Sequence, residues 1–276
     1  MRIVASLTTI PSGVPGALEV IHSLLKEPEI NLIYFNLPRN FAKTGEAYPS
    51  VNLAHPKVKI VRCSDKGPIT KVYPVLDHEK DPETRIFILD DDHLPVKGIV
   101  SKFARYSEKY PDACLTTGGW VRGSWIASFQ EMSRASDRVR EVDWVEGSGG
   151  IFAPRKFFGT SKELLNYTKA REYVNLFKKH DDHWMTWHLK SHGAKCLSIP
   201  EFFGDTPVAI AKSDNISGSY HFGLEVYTVA NFLRNEGVYK SKVSWSPSPV
   251  AMKGILMMAV AIGILIWLTL RSKKRS

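Results

Sequence analysis

The sequence predicts an α/β fold: a mostly parallel sheet flanked by helices, followed by one C-terminal transmembrane helix. Three observations predict it. Short apolar runs alternate with stretches of helical spacing from residue 2 to about residue 200, the pattern of strands joined by crossover helices. One of those runs, at 85–89, passes directly into three aspartates, and in such sheets sites lie beyond the carboxyl ends of strands. Residues 254–270 are apolar and carry no charge.

Taken in order, Arg2–Leu7 (RIVASL) is a strand that stops at the turn Thr8-Thr9-Ile10-Pro11-Ser12-Gly13. Ala17–Leu25 sets Leu18, Ile21, Leu24 and Leu25 on one face of a helix. Asn31–Leu37 and Val58–Cys63 read as strands, and Thr70–His78 as a helix. Arg85–Asp90 (RIFILD) has a buried-strand pattern, followed by a helix over 96–110. Ala113–Thr116, Val142–Val145 and Gly150–Phe152 are further short strands. Ser161–Phe177 and Asp182–Ser191 read as helices, and Lys195–Ile199 closes the pattern as a strand.

The chain has 276 residues, 43% hydrophobic and 24% charged, with no low-complexity stretch. That supports a real core and excludes disordered, collagen-like and disulfide-stapled classes. Cys63, Cys114 and Cys196 fit neither a zinc clip nor a disulfide framework, so no dependence on disulfides is expected. Of the formal charge of +9, the last 26 residues hold Lys253, Arg271, Lys273, Lys274 and Arg275 and no acid. The remaining excess is mild and spread out: a solvated surface, or a modest preference for anionic substrates such as nucleotides. No basic-aromatic stripe runs along any element, which disfavours a nucleic-acid partner.

Gly254–Leu270 reads GILMMAVAIGILIWLTL, polar only at Thr269. As a helix it reaches roughly 25 Å, and about 31 Å with residues 250–253 and a snorkelling Lys253. Trp267 stands near one interface and Arg271–Arg275 stop the run. A buried core helix is the alternative, but the run is apolar all round and follows the Ser/Pro segment SWSPSP. The expected division is a catalytic domain over 1–240, a linker over 241–253, a membrane helix over 254–270 and a basic tail over 271–276. The tail suits anionic head groups. Met1–Ile10 is too short for a signal peptide, which favours a cytosolic domain behind a C-terminal anchor. The positive-inside bias argues the other way, and the sequons at Asn166 and Asn215 matter only if the domain is lumenal.

Asp90-Asp91-Asp92 is the chemical centre. Adjacent carboxylates repel one another, and a divalent cation or several hydrogen-bond donors would offset that. In extended chain Asp90 and Asp92 share a face and Asp91 opposes them. One carboxylate can then accept from a ribose hydroxyl while the other holds Mg²⁺ or Mn²⁺ on a diphosphate. An acidic turn capping the next helix is the plainer alternative. Trp144–Pro154 (WVEGSGGIFAP) is a glycine-rich hinge that lets backbone approach a ligand, or else a hairpin turn. His180-Asp181-Asp182-His183-Trp184 opens a helix. Its acids are either a cap or a general base beside a sugar ring.

Five blocks then occur in order: SLTTIP at Ser6–Pro11, CSDKGPITK at Cys63–Lys71, ILDDD at Ile88–Asp92, GSGGIFAP at Gly147–Pro154 and DDHW at Asp181–Trp184. Together they resemble the nucleotide-sugar glycosyltransferases of the GT-A fold, over roughly residues 1–200. More narrowly, the chain is similar to a group of small glycosyltransferases of microbes and large DNA viruses. The resemblance implies a GT-A type, Rossmann-like sheet and transfer of a sugar from a nucleoside-diphosphate donor to a hydroxyl of a glycan or lipid acceptor. It places Thr8, Thr9 and Pro11 in the first strand-to-helix loop against the nucleotide, Asp65 at the base or ribose, and Lys71 at the diphosphate. Asp90 and Asp92 form the DxD pair with Asp91 between them, Asp92 being the ligand of Mn²⁺ or Mg²⁺. Gly149 and Gly150 line the acceptor side, and Asp182 is the catalytic base with Asp181 in reserve. A base opposite the leaving group implies inversion.

After Pro200 the chain departs from the pattern. His221 is the candidate for a later metal-ligating histidine, though a packed loop residue is the plainer reading. Trp120, Trp125, Trp144 and Trp184 are candidate acceptor platforms, with core packing expected for at least two. Two other classes compete. A metal-dependent phosphohydrolase would gather more acids and histidines around two metals and cut between phosphates. A membrane-anchored binding protein would hold nucleotide or glycan without turnover.

Overall fold

The computed structural model describes residues 1–122, 129–131, 138–167, 174–200 and 208–210. In chain order its elements are β1 (Ile3–Thr8), α1 (Val14–Leu24), β2 (Leu32–Pro38), β3 (Val58–Cys63), α2 (Tyr73–His78), β4 (Arg85–Ile88), β5 (His93–Leu94), α3 (Ile99–Lys109), β6 (Ala113–Thr116), β7 (Gly119–Arg122), β8 (Phe129–Glu131), β9 (Arg140–Glu141), β10 (Trp144–Val145), β11 (Ile151–Pro154), α4 (Ser161–Leu164), α5 (Val174–Lys179), α6 (Asp181–Ser191), β12 (Lys195–Ser198) and β13 (Val208–Ala209). The chain divides into two compact units, Met1–Val121 with Glu131–Lys240, and Arg122–Gln130 with Ser241–Ser276. Nearly all described residues belong to the first. The expected linker, membrane helix and basic tail over 241–276, and His221, lie outside the described residues. Among those described, no helix is long and apolar enough to cross a membrane.

The main sheet has eight strands in the order β3-β2-β1-β4-β11-β6-β12-β9. β3, β2, β1 and β4 are mutually parallel, with Ala5 facing Ile33 on one side and Phe87 on the other. β1 and β4 read as continuous apolar runs because parallel strands are covered on both faces, and nearly every residue in them is buried. β11 runs antiparallel between β4 and β6, setting Phe152 beside Phe87 and Leu115. Gly150 makes this reversal possible. Its φ is +88°, and a Cβ there would strike the Phe87 ring.

On one face, Ala5, Leu7, Ile33, Phe35, Phe87 and Phe152 pack with Ala17, Val20, Ile21 and Leu24 of α1 and Ile99, Val100 and Phe103 of α3. The Phe103 and Phe152 rings stack at 5.2 Å. The alternate residues turn to the other face, where period-two geometry puts Ser6 and Asn36. Both are fully buried.

Several expected elements are adjusted for local reasons. The helix expected over 70–78 is a 3-10 turn, Ile69–Lys71, followed by α2, which has proline in its first turn. The helix expected from residue 96 begins at Ile99, because Gly98 (φ +75°) turns the chain and its amide donates to Glu27 Oε1 at 2.8 Å. Within the helix expected over 161–177, residues 161–164 form α4 and residue 174 begins α5. The three cysteines are free, with Cys114 and Cys196 register partners on β6 and β12.

Candidate functional site

The carboxyl ends of β1, β3 and β4, the turn before β11 and the start of α6 bring their residues together at one edge of the sheet. After β1, the Thr8 hydroxyl donates to Asn36 O at 2.7 Å, so it ties two strands together. Thr9 is buried, its hydroxyl bonded to Asp91 Oδ2 and its carbonyl accepting from the Tyr48 hydroxyl at 2.8 Å. Pro11 opens a buried 3-10 turn. Gly13 closes it, and any Cβ there would collide with the Thr9 hydroxyl and stand 2.9 Å from Asp91 Oδ2. The first loop is therefore shaped by mutual contacts. Both the Thr8 and Thr9 hydroxyls donate their protons within the protein.

The three aspartates after β4 take separate partners. Asp90 Oδ1 accepts from Lys71 Nζ at 2.7 Å, Asp91 meets Thr9, and Asp92 Oδ1 lies 2.7 Å from His93 Nδ1. The strand has ended by then: residues 91 and 92 form a bend, and each aspartate turns to its own partner. Pairing of β13 with β5 fixes the following backbone, with Ile210 N donating to Asp92 O at 2.6 Å. Both oxygens of Asp65 accept backbone amides at 2.8 Å, from Ala42 and from Gly67, so it ties its own turn to the loop after β2.

Lys71 is carried to the site by the 3-10 turn after β3. Its carbonyl accepts from the Ser6 hydroxyl at 2.6 Å, and the Asn36 amide donates to that hydroxyl at 2.9 Å and to the carbonyl at 3.3 Å. Its ammonium then stands 2.7 Å from Asp90 Oδ1, 2.9 Å from Asp181 Oδ2 and 3.9 Å from Asp182 Oδ1. Only 5% of the Lys71 side chain is exposed. Burial opposes its charge, but Asp181, Asp90 and Asp182 outweigh it and hold the ammonium protonated well above the usual lysine range.

Asp181 and Asp182 occupy the first turn of α6, where the helix dipole favours carboxylates. The N-cap position, His180, has no side-chain cap, so neither acid is spent on capping there. Asp182 Oδ2 accepts the Gly147 amide at 2.9 Å. Its other oxygen, Oδ1, is buried without a hydrogen-bond partner. Burial, with Asp181 and Asp90 adding to it, pushes the Asp182 carboxyl up to about 8, against the pull of Lys71 and the Gly147 amide. Thr186 locks this end of α6 to β10: its hydroxyl accepts Val145 N at 3.1 Å and donates to Asp182 O at 2.6 Å.

The glycine segment Gly147–Gly149 forms a 3-10 turn. Gly149 abuts the Thr117 hydroxyl and Gly150 the Phe87 ring, so both pack inward. Trp144 stacks on Trp120 at 5.6 Å and meets the tilted ring of His183, beside Asp182 in the chain, at 4.6 Å. Burial lowers His183 to about 3, so it is neutral at physiological pH. Trp184, expected on the acceptor side, belongs to the core. It is fully buried, its Nε1 donates to Leu164 O at 2.8 Å, and its ring stacks with Tyr167 at 4.6 Å.

Of the expected site residues, Lys71, Asp90, Asp181 and Asp182 thus meet directly, and Asp91 meets Thr9. Trp125 and His221 lie outside the described residues. The sequence reading missed Gly147, the Ser6–Asn36 pair, Gly13 and Thr186. The GSGG run pointed at Gly147, while nothing local ties Ser6 to Asn36. Among the described residues, no three His, Cys, Asp or Glu side chains are grouped to hold a metal ion. The donor chemistry of Asp90 and Asp92 still fits Mg²⁺ or Mn²⁺, which take one or two carboxylates and complete their shell with water and substrate phosphates.

No protein-family model and no curated protein matches the chain. Solved structures do match in fold. TarS 1–349 from S. aureus, in complex with UDP-GlcNAc, is 11% identical with a TM-score of 0.51, covering 85% of this chain and 67% of that one. The same protein with UDP gives 11% identity and a TM-score of 0.50 over 86% and 65%. A Francisella tularensis 2-C-methyl-D-erythritol 4-phosphate cytidylyltransferase (IspD) gives 10% identity and a TM-score of 0.47 over 78% and 96%. This chain spans about two thirds of the TarS fragment, and it shares with it a large, mostly parallel sheet flanked by helices.

Proposed function

We propose that the protein is a glycosyltransferase that moves a sugar from a nucleoside-diphosphate donor to a hydroxyl group of a glycan or lipid acceptor, with inversion. The observation that carries this reading is Asp182. A buried carboxyl oxygen with no hydrogen-bond partner stands at a helix start, next to the acids that end a central strand. That is how a base is kept available for an acceptor proton. A protein of the same fold was solved with UDP-GlcNAc, which makes a nucleotide sugar the donor class to test first.

In this reading Asp90 and Asp92 hold Mn²⁺ or Mg²⁺ when donor binds. The ion supplies charge stabilisation to the leaving diphosphate. The chain's own residues do the rest. Asp182, its carboxyl pushed up to about 8, takes the acceptor proton in its ionised form, in which it is a stronger base than an ordinary carboxylate. Gly147 N fixes one of its oxygens, and the other, 3.9 Å from the Lys71 ammonium, makes no hydrogen bond. The half-buried Trp120, stacked on Trp144, offers an aromatic surface to an acceptor sugar. The apolar segment 254–270 anchors the domain at a membrane, with the basic tail on anionic head groups.

The test is a thermal-shift screen of nucleoside-diphosphate sugars with Mn²⁺, followed by transfer assays on the donors that bind. Wild type should turn over such a donor and Asp182→Asn should bind it without transfer. Full turnover by Asp182→Asn would remove the assignment.

A further inference from the structure

The Lys71 ammonium occupies the middle of the acid cluster. Three carboxylates from two distant segments, Asp90 after β4 and Asp181 and Asp182 on α6, approach it within 2.7–3.9 Å. With 5% of its side chain exposed, it is not placed to reach out to a diphosphate. Its backbone is held independently, through a carbonyl that accepts from two buried groups, Ser6 and Asn36. Such anchoring sets the root of the side chain before any ligand arrives.

We propose that Lys71 is a positioning residue, an internal counter-cation that fixes the donor-side Asp90 against the Asp181–Asp182 pair and keeps divalent ions out of the space between them. The physical reason is exclusion by both charge and occupancy. An ammonium already sits within 2.7–2.9 Å of a carboxylate from each segment, Asp90 and Asp181. A second cation placed there would face it at contact distance in a poorly solvated pocket. A divalent ion is thereby left to Asp92 and to the Asp90 oxygen that Lys71 does not hold, where donor phosphates complete its shell. The inference deepens the assignment of Asp90 and Asp182 to one site. Its test uses no sugar donor, so the two can fail separately.

The experiment is a Mn²⁺ titration of nucleotide-free full-length protein, reading free Mn²⁺ by electron paramagnetic resonance alongside the thermal midpoint. Wild type is compared with Lys71→Met and with the double variant Lys71→Met/Asp181→Asn. The double variant removes one carboxylate along with the ammonium, so its cluster keeps the wild-type formal charge and is spared the added repulsion of the single variant. Both variants are expected to bind Mn²⁺ at least tenfold more tightly than wild type, and Mn²⁺ should raise their thermal midpoints but not that of wild type. Wild-type Mn²⁺ affinity in the double variant overturns the proposal, whatever the single variant does. A merely structural lysine would lower stability on removal without creating a metal site.

Discussion

The Gly147 amide donates to Asp182 Oδ2 at 2.9 Å, and a side chain on Gly147 would begin 2.8 Å from Asp182 Oδ1 and 3.2 Å from Asp90 Oδ2. One residue therefore both holds the candidate base and leaves room between two acids. Gly147 does not lie in the left-handed region, so alanine suits its backbone while crowding the carboxylates. Gly147→Ala should lower kcat roughly 100-fold, the scale expected when a reacting group is misplaced by about an ångström. Steady-state kinetics, with circular dichroism to confirm the fold, checks it.

Asp182→Asn and Asp92→Ala should separate chemistry from donor binding. The first removes a base, and transfer should fall by about 10²–10⁴-fold with donor binding retained. The second should weaken Mn²⁺-dependent donor binding and leave the donor-free thermal midpoint near wild type. Calorimetric titration of both variants with donor, with and without EDTA, checks the split.

Ser6 and Asn36 predict a stability effect far from any ligand. Ser6→Ala leaves the Lys71 carbonyl with one long contact and deprives the Asn36 amide of an acceptor in a fully buried setting. The expected loss is about 1–3 kcal/mol, measured by urea unfolding.

Glu79 gives the acid limb of stability a defined sign. Arg2 donates to both its oxygens, at 3.0 and 2.7 Å, and Tyr34 donates at 2.7 Å. The Arg2 hydrogen bonds, opposed by burial and aided by Tyr34, hold Glu79 below the ordinary glutamate range. The unfolded chain then takes up this proton more readily than the native one. The contribution is fully present above the unfolded pKa and is lost as pH falls through the lower native value. Glu79→Gln should flatten unfolding free energy against pH across that window, measured in denaturant titrations at successive pH values.

Much of this architecture was legible in the chain because burial on both faces leaves a plain signature. The runs at 3–8 and 85–88 became the central parallel strands, and the acids that follow the second stand at the site. Legibility failed where geometry depends on partners remote in sequence. Nothing in ILDDD says that Asp90 and Asp91 turn to Lys71 and Thr9, since those contacts span 19 and 82 positions. Asp65 is placed by the resemblance alone, and nothing in the sequence announces that the Ala42 and Gly67 amides each donate to it. Trp184 follows two acids at a helix start, yet the turn of α6 points it into the core. The antiparallel insertion of β11 depended on what Gly150 would pack against, the Phe87 ring.

The most direct measurement is the identity of the nucleotide released when the full-length protein turns over an activated sugar with Mn²⁺, resolved by ion-exchange chromatography and mass spectrometry. A sugar transferase should liberate an intact nucleoside diphosphate, in step with glycosylated acceptor. Release of nucleoside monophosphate with sugar phosphate would place the cut between the phosphates and contradict the account.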